Sequence, residues 1–234
     1  MTPLTHAAVG TAICQKLHRV HWGWVIAFPL AVLSHYLLDA IPHFEKTGPL
    51  GDAKENLVIT LGLGLVGTAL ALLLMRWKSD AGRVWLVLFL WVGLGTYSFS
   101  LWRIFTAALG MAYVGWKNKH WSAMGYVLAG ILAVAPDVMP ANFTLMAELH
   151  DHAHYHTDWA TRIFDAFSHQ PFPETRREKL HNPYILLGYA LELLVECLIF
   201  LGAVILFFRE NVAEENTNRK EGKMEEALEI TGKS

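Results

Sequence analysis

Charged side chains are scarce in this sequence, and their scarcity is uneven along the chain. They make up 17% of the 234 residues, whereas soluble domains carry about 25%. Residues 57–75 and 84–101 contain no Asp, Glu, Lys, Arg or His at all. Apolar runs of about 18 residues or more are typical of membrane-spanning helices, because the lipid interior offers charge no partner. The sequence therefore argues against a soluble domain and predicts an integral membrane protein.

The chain also lacks the features of several common functional classes. Its net charge is -2 and it has no basic patch, which argues against nucleic-acid binding. Its two cysteines, Cys14 and Cys197, are too few for a disulfide framework or a zinc knuckle. No nucleophile elbow, phosphate-binding loop, dinucleotide fingerprint or His-Glu-x-x-His motif occurs. Any catalytic chemistry must therefore use residues outside these motifs.

Apolar helix is what the sequence has in abundance, since hydrophobic residues make up 53% of it. We expect an all-α, polytopic membrane bundle of about five or six hydrophobic helices, because a spanning helix satisfies its own backbone hydrogen bonds. The predicted helical segments are residues 2–17, 24–41, 57–75, 84–116, 121–139 and 185–208. Residues 1–208 would form one membrane-embedded domain with a His-rich polar segment at 141–183, and residues 209–234 a charged tail.

The segment 84–116 is too long for a single span. We expect it to reverse direction near residues 96–100, where polar side chains interrupt it, or else one helix to lie in the membrane interface without crossing. The reason is geometric. Two candidate site residues discussed below, Asp39 and Asp137, lie near the C-terminal ends of the segments 24–41 and 121–139. Those two ends meet at one membrane face only if both helices run in the same direction. We expect the segments 57–75 and 185–208, in contrast, to be single uninterrupted spanning helices.

The most specific local pattern is a histidine and an aspartate inside the second hydrophobic segment. His35 and Asp39 are four residues apart, so a helix stacks them on one face. An imidazole and a carboxylate in this arrangement can share one divalent cation. Ionisable residues in an apolar helix are costly and are functional candidates for that reason. The alternative interpretation is a His–Asp hydrogen bond that joins two helices.

A second pattern lies in the polar segment, where four histidines occur within seven consecutive residues. On a helix His150, His154 and Asp158 would share one face, and His152 and His156 would share another. Because histidine is the commonest metal ligand, we expect this cluster to contribute to a metal site. The alternative is a solvated loop with weak affinity for metal ions.

The remaining candidates are isolated ionisable residues. Asp137 ends an apolar segment at the membrane edge, where it could reach a metal held by the histidine–aspartate pair. His6 is a single histidine, which is weak by itself and gains weight only beside the other candidates. Glu192 and Glu196 lie one turn apart in the last segment. They fit either a proton or ion relay or a pair of interhelical hydrogen bonds.

Together these motifs resemble one known family. They comprise Thr5-His6-Ala7-Ala8-Val9-Gly10, Ser34-His35 with Asp39 and Pro42, Pro136-Asp137, and the cluster from His150 to His156. In them the chain resembles the membrane-bound, predicted metal-dependent hydrolases, a family thought to be a distant relative of the zinc-dependent phospholipase C fold. The resemblance is at the level of motifs and covers most of the chain up to about His156. It implies that the metal ligands are His6, His35, Asp39, Asp137 and either His150 or His154.

We therefore expect a membrane-embedded, metal-dependent hydrolase that acts on an ester or phosphoester, lipids included. The metal would be divalent, with zinc favoured, and would polarise the scissile group. Asp137 would be a ligand or the general base. The expected partners are the lipid bilayer and a lipid or phosphoester substrate, in the cytoplasmic membrane of a prokaryote. The alternative is a non-enzymatic metal-binding or transport-like membrane protein in which Glu192 and Glu196 relay charge.

Overall fold

The described part of the chain is helical. The computed structural model describes residues 1–20, 22–41, 52–74, 80–95, 100–117, 122–138, 148, 159–168 and 170–231, and all regular structure in these residues is helix. The elements are α1 (Pro3–Leu17), α2 (Gly23–Asp39), α3 (Asp52–Leu74), α4 (Asp80–Val87), a π-helical segment (Leu88–Gly93), α5 (Ser100–Lys117), α6 (Ser122–Val138), α7 (Trp159–Phe167), α8 (Arg176–His181) and α9 (Pro183–Thr231). The expected all-α class is confirmed for these residues.

Helix α1 lies at the centre of the bundle, against α2, α6 and α9. Its buried residues include Ala7, Gly10 and Cys14, whose small side chains let neighbouring helices come close. A Cβ atom at Gly10 would lie only 2.6 Å from the Cβ of Ala133 in α6. Further along α1, Cys14 lies beside the carbonyl of Gly125, which is near the start of α6. Helix α1 therefore runs antiparallel to α6.

Helices α2 and α6 run in the same direction, as the sequence predicted for a shared site. Near the start of both, Trp24 packs on Tyr126 with ring centroids 6.2 Å apart. Near the end of both, His35 is hydrogen-bonded to the carbonyl of Ala133. The C-terminal ends of the two helices therefore lie at the same end of the bundle.

The long segment 84–116 is broken into two antiparallel parts, which confirms the predicted reversal. A Cβ atom at Gly110 in α5 would lie 2.8 Å from Trp91 in the π-helical segment. A Cβ atom at Gly95 would lie 2.9 Å from the hydroxyl of Thr106, nearer the start of α5. Later positions of the first part thus meet earlier positions of the second, and small residues at the crossing let the two parts pack closely.

One described helix is long and apolar enough to cross a membrane, namely the part of α9 from Pro183 to Arg209. The prediction of an uninterrupted helix over 185–208 is confirmed, and the backbone of the charged tail continues it to Thr231. Helix α3 is also uninterrupted from Asp52 to Leu74, and its described apolar stretch, Leu57–Leu70, does not by itself establish a second crossing. The number of membrane crossings therefore stays a prediction.

Candidate metal centre

Three ionisable side chains from two helices meet inside the bundle. Helix α1 provides His6, and α2 provides His35 and Asp39. His35 Nε2 lies 2.9 Å from Asp39 Oδ2, and His6 Nε2 lies 3.0 Å from Asp39 Oδ1. One potential ligand atom from each residue lies within 4.8 Å of those from the other two. Movements of about an ångström would bring all three atoms to bonding distance, ~2 Å, from one divalent cation.

All three side chains are excluded from solvent, with exposed fractions of 0% for His6, 0% for His35 and 1% for Asp39. Two leucines and several alanines are buried around them on the same helices. A carboxylate in such surroundings is costly unless a positive charge lies beside it. The group therefore requires a cation, and three are candidates: the α-amino group of Met1, which lies 3.1 Å from Asp39 Oδ1, the proton of an imidazolium, and a metal ion.

A backbone carbonyl orients the His35 ring. His35 Nδ1 lies 2.9 Å from the carbonyl oxygen of Ala133 in α6. Because a carbonyl oxygen only accepts, Nδ1 carries the proton of this hydrogen bond. The other ring nitrogen, Nε2, then faces the Asp39 carboxylate. Metal-binding histidines usually donate their second N–H to a carbonyl or carboxylate in this way, which fixes the tautomer and the ring orientation.

The contact between His6 and Asp39 is close without being a well-aligned hydrogen bond. The distance of 3.0 Å from His6 Nε2 to Asp39 Oδ1 is that of an ion pair, yet neither nitrogen of His6 meets the geometry of a hydrogen bond with any described residue. The centroids of the His6 and His35 rings lie 4.2 Å apart, and the ring planes are tilted by 32°. The α-amino group of Met1 also lies 3.1 Å from Asp39 Oδ1. Asp39 Oδ1 thus has two close nitrogen neighbours, of which the Met1 ammonium has no lone pair for a metal ion.

A carboxylate of the last helix holds the first turn of α1. Glu196 Oε1 accepts hydrogen bonds from the backbone N–H of Thr2 at 3.1 Å and from its hydroxyl at 2.8 Å, and a third from the Thr5 hydroxyl. Thr2 is the residue that caps α1, and a negative charge at a helix N-terminus is favourable. Because His6 follows Thr5 directly, this network fixes the position of the candidate ligand His6 on α1.

The second glutamate of α9 has a similar role at another helix. Glu192 Oε1 accepts from the backbone N–H of Trp159 at 2.6 Å and of Ala160 at 3.4 Å, at the N-terminus of α7. Of the two alternatives that the sequence left for Glu192 and Glu196, interhelical hydrogen bonds are therefore present. The relay of protons or ions stays a hypothesis.

The other predicted ligands are not brought into the cluster by the described residues. Asp137 lies in α6 one helical turn after Ala133, so its backbone is at the same end of the bundle as the cluster, but its side chain is outside the described part. His150 and His154 both lie outside the described residues. Their predicted contribution to the site therefore stays a prediction.

Two elements of this centre were missed at the sequence level. The carbonyl of Ala133 is a backbone group, so no residue pattern signals it. The bonds from Thr2 and Thr5 to Glu196 join positions more than 190 residues apart in the sequence. A hydroxyl pair at a helix start and a glutamate in an apolar helix are the only signals, and nothing in their spacing pairs them.

No protein-family model, curated protein or solved structure matches this chain. The similarity to the membrane-bound metal-dependent hydrolases rests on the motifs quoted above. Of those motifs, the structure unites the histidine of the first and the histidine–aspartate pair of the second. The family and its activity accordingly enter as a hypothesis about function.

Proposed function

We propose that the protein is a membrane-embedded, metal-dependent hydrolase that resembles the membrane-bound relatives of the zinc-dependent phospholipase C fold. One observation carries the proposal, the buried group of His6, His35 and Asp39. Two imidazoles and one carboxylate form a ligand set typical of catalytic zinc sites, in which three protein ligands leave a further position for water or substrate.

The protein's own residues have distinct parts in this proposal. His6, His35 and Asp39 would hold the metal, and the Ala133 carbonyl would keep His35 in the tautomer that presents Nε2. The metal, with zinc favoured by the nitrogen-rich ligand set, would act as a Lewis acid on an ester or phosphoester. Asp137, one turn beyond Ala133, is proposed as a further ligand or as the general base.

The exposed surfaces of α2 and α3 support a lipid substrate and a polytopic arrangement. Helix α2, which carries two of the three ligands, leaves Val25 63% and Leu37 62% exposed. Helix α3 leaves Leu65 66% and Leu73 81% exposed. Extended apolar surfaces of this kind on several helices are typical of contact with lipid. We propose a bundle of about five or six hydrophobic helices in the cytoplasmic membrane of a prokaryote, in which a lipid ester would have to reach the buried centre from the bilayer.

A second candidate function is a non-enzymatic metal-binding or transport-like membrane protein. The observation that favours it is the near-complete burial of the three ligands, since a closed coordination shell is typical of structural sites. A hydrolase, in contrast, needs a path by which water and substrate reach the metal.

Metal analysis of the full chain purified in detergent tests both candidates. We expect about one equivalent of zinc per chain, lost in His6→Ala, His35→Ala and Asp39→Ala, because a site with one ligand removed binds far more weakly. The control is His181→Ala, which removes an exposed histidine of α8. A metal content that is unchanged in all three variants would contradict the metal centre.

Turnover then separates the two candidates. The metal-loaded protein is assayed on phosphodiester, carboxylic ester and phospholipid substrates. Hydrolysis that the three ligand variants abolish and His181→Ala preserves would support the enzyme. Stoichiometric metal without any hydrolysis of these three classes would favour the non-enzymatic candidate.

A further inference from the structure

An apolar groove runs along the outside of the bundle between α1 and α9. It has a volume of about 460 Å³, within the range of ~300–1,000 Å³ of small-molecule sites. From α1 it is lined by Val9, Ala12 and Ile13, and from α9 chiefly by aliphatic residues around Gly202. Lys16 is the only charged residue among those that line it.

The groove has an apolar end and a basic end. Thr5 pairs with Glu196, whereas Lys16 shares the groove with Leu206, so α1 and α9 run in parallel. Lys16 therefore lies towards the Arg209 end of the segment that is long enough to cross a membrane. Lys16, Arg19 and Arg209 are all exposed.

This surface is separate from the metal centre. Lys16 follows His6 by ten residues, which is about 15 Å along a helix at 1.5 Å per residue. His6 is buried inside the bundle, whereas the groove opens outwards between the two helices. A molecule whose polar head lies at Lys16 would therefore have its head far from His6, so its binding rests on the membrane location proposed above but not on the metal centre.

We propose that this groove is a binding site for one anionic phospholipid, with an acyl chain between α1 and α9 and the headgroup phosphate at Lys16. The apolar lining against the membrane-crossing helix matches an acyl chain, and the basic end matches a phosphate. A lysine near the end of a span extends its ammonium group to the level of the headgroups. Charge complementarity of this kind selects anionic over zwitterionic lipids.

Filling the groove is the direct test, and Gly202 allows it. A Cβ atom at Gly202 would meet no atom within 4 Å, so Gly202→Leu adds a side chain that begins in open space and extends into the groove. Gly62 in α3 has equally open surroundings, which makes Gly62→Leu a matched control for a larger side chain on an apolar helix. Lys16→Gln removes the charge, and Lys117→Gln at the exposed end of α5 is its control.

Native mass spectrometry of the delipidated full chain measures binding of phosphatidylglycerol and phosphatidylcholine. We expect one phosphatidylglycerol to bind more tightly than phosphatidylcholine. Gly202→Leu should weaken it about tenfold through lost chain contacts. Lys16→Gln should weaken it about fivefold, the equivalent of roughly 1 kcal/mol per lysine near a lipid surface. Both controls should bind like the parent chain.

Three outcomes would overturn the proposal. The first is equal binding of both lipids, with no effect of Lys16→Gln. The second is unchanged phosphatidylglycerol binding in Gly202→Leu. The third is competition by glycerol phosphate as effective as by the lipid, which would indicate a site for free phosphate. A shift of the delipidated chain to a dimer that Gly202→Leu abolishes would instead assign the groove to a second copy of the chain.

Discussion

The network around Glu196 allows a sharp prediction, because one carboxylate oxygen serves three donors. Glu196 is 3% exposed, and its Oε1 accepts from the backbone and hydroxyl of Thr2 and from the hydroxyl of Thr5. Glu196→Ala removes the acceptor and leaves these donors buried. Glu196→Gln keeps an oxygen in nearly the same place and removes the charge, so it is the matched control.

The loss of stability in Glu196→Ala depends on how many buried donors lose a hydrogen-bond acceptor. A hydrogen bond to a charged group contributes about 1.5–3 kcal/mol. The loss is partly offset, because the Thr2 and Thr5 hydroxyls also lie 3.0 Å from each other. We therefore expect Glu196→Ala to lower the free energy of unfolding by about 3 kcal/mol, a value typical of a broken buried charge network. Glu196→Gln should lower it by about 1 kcal/mol.

Thermal unfolding of the detergent-purified chain measures this prediction. For chains of this size 1 kcal/mol corresponds to roughly 2–4 °C, so Glu196→Ala should lower Tm by about 6–12 °C. It should also weaken zinc binding, since the held turn leads directly into His6. Gly10→Val, which should lower Tm by several degrees, shows that the assay detects a destabilised chain. If it does so while the Tm of Glu196→Ala stays within 2 °C of the parent chain, the reasoning about this network is refuted.

Three further predictions concern packing, capping and ring orientation. Gly10→Val should lower Tm by several degrees, because its Cβ would meet Ala133 at 2.6 Å. Glu192→Ala should destabilise the first turn of α7, because the Trp159 N–H loses its acceptor. Faster amide hydrogen exchange confined to α7 would confirm this, and an unchanged exchange rate would contradict it. His35→Gln keeps a polar side chain but loses the fixed ring, so zinc affinity should fall at least 10-fold by isothermal titration; an unchanged affinity would exclude His35 as a ligand.

The chemistry of the centre depends on which cation neutralises Asp39: the α-amino group of Met1, the proton of an imidazolium, or a metal ion. If a proton does so, an imidazolium of His35 donates to Asp39 Oδ2, and the pair joins α2 to α6 through the Ala133 carbonyl. If a metal ion does so, both Nε2 atoms present lone pairs to it. Both Nε2 atoms lie within 3.0 Å of Asp39, so metal analysis is the measurement that separates the two arrangements. A structural His–Asp bond needs only one histidine, and this cluster contains two.

Several features of the protein follow from the sequence because they depend on neighbouring positions. The helical repeat places His35 and Asp39 on one face whatever surrounds them, and uncharged runs of this length form helices in any apolar setting. The reversal within 84–116 was predictable because the segment exceeds one span. The parallel course of α2 and α6 was predicted on the condition that Asp39 and Asp137 share one end of the bundle.

Only the tertiary structure decided which distant groups meet. His6 joins His35 and Asp39 because Gly10 lets α1 pack closely against α6. This packing places the N-terminal turn of α1, which carries His6, beside the end of α2. The same packing brings the Ala133 carbonyl to His35, and it directs Glu196 to the start of α1 as an acceptor of hydrogen bonds. These contacts depend on the rotation and depth of each helix relative to its neighbours. Helix packing sets both, through small residues spread along the chain, and no local repeat records them.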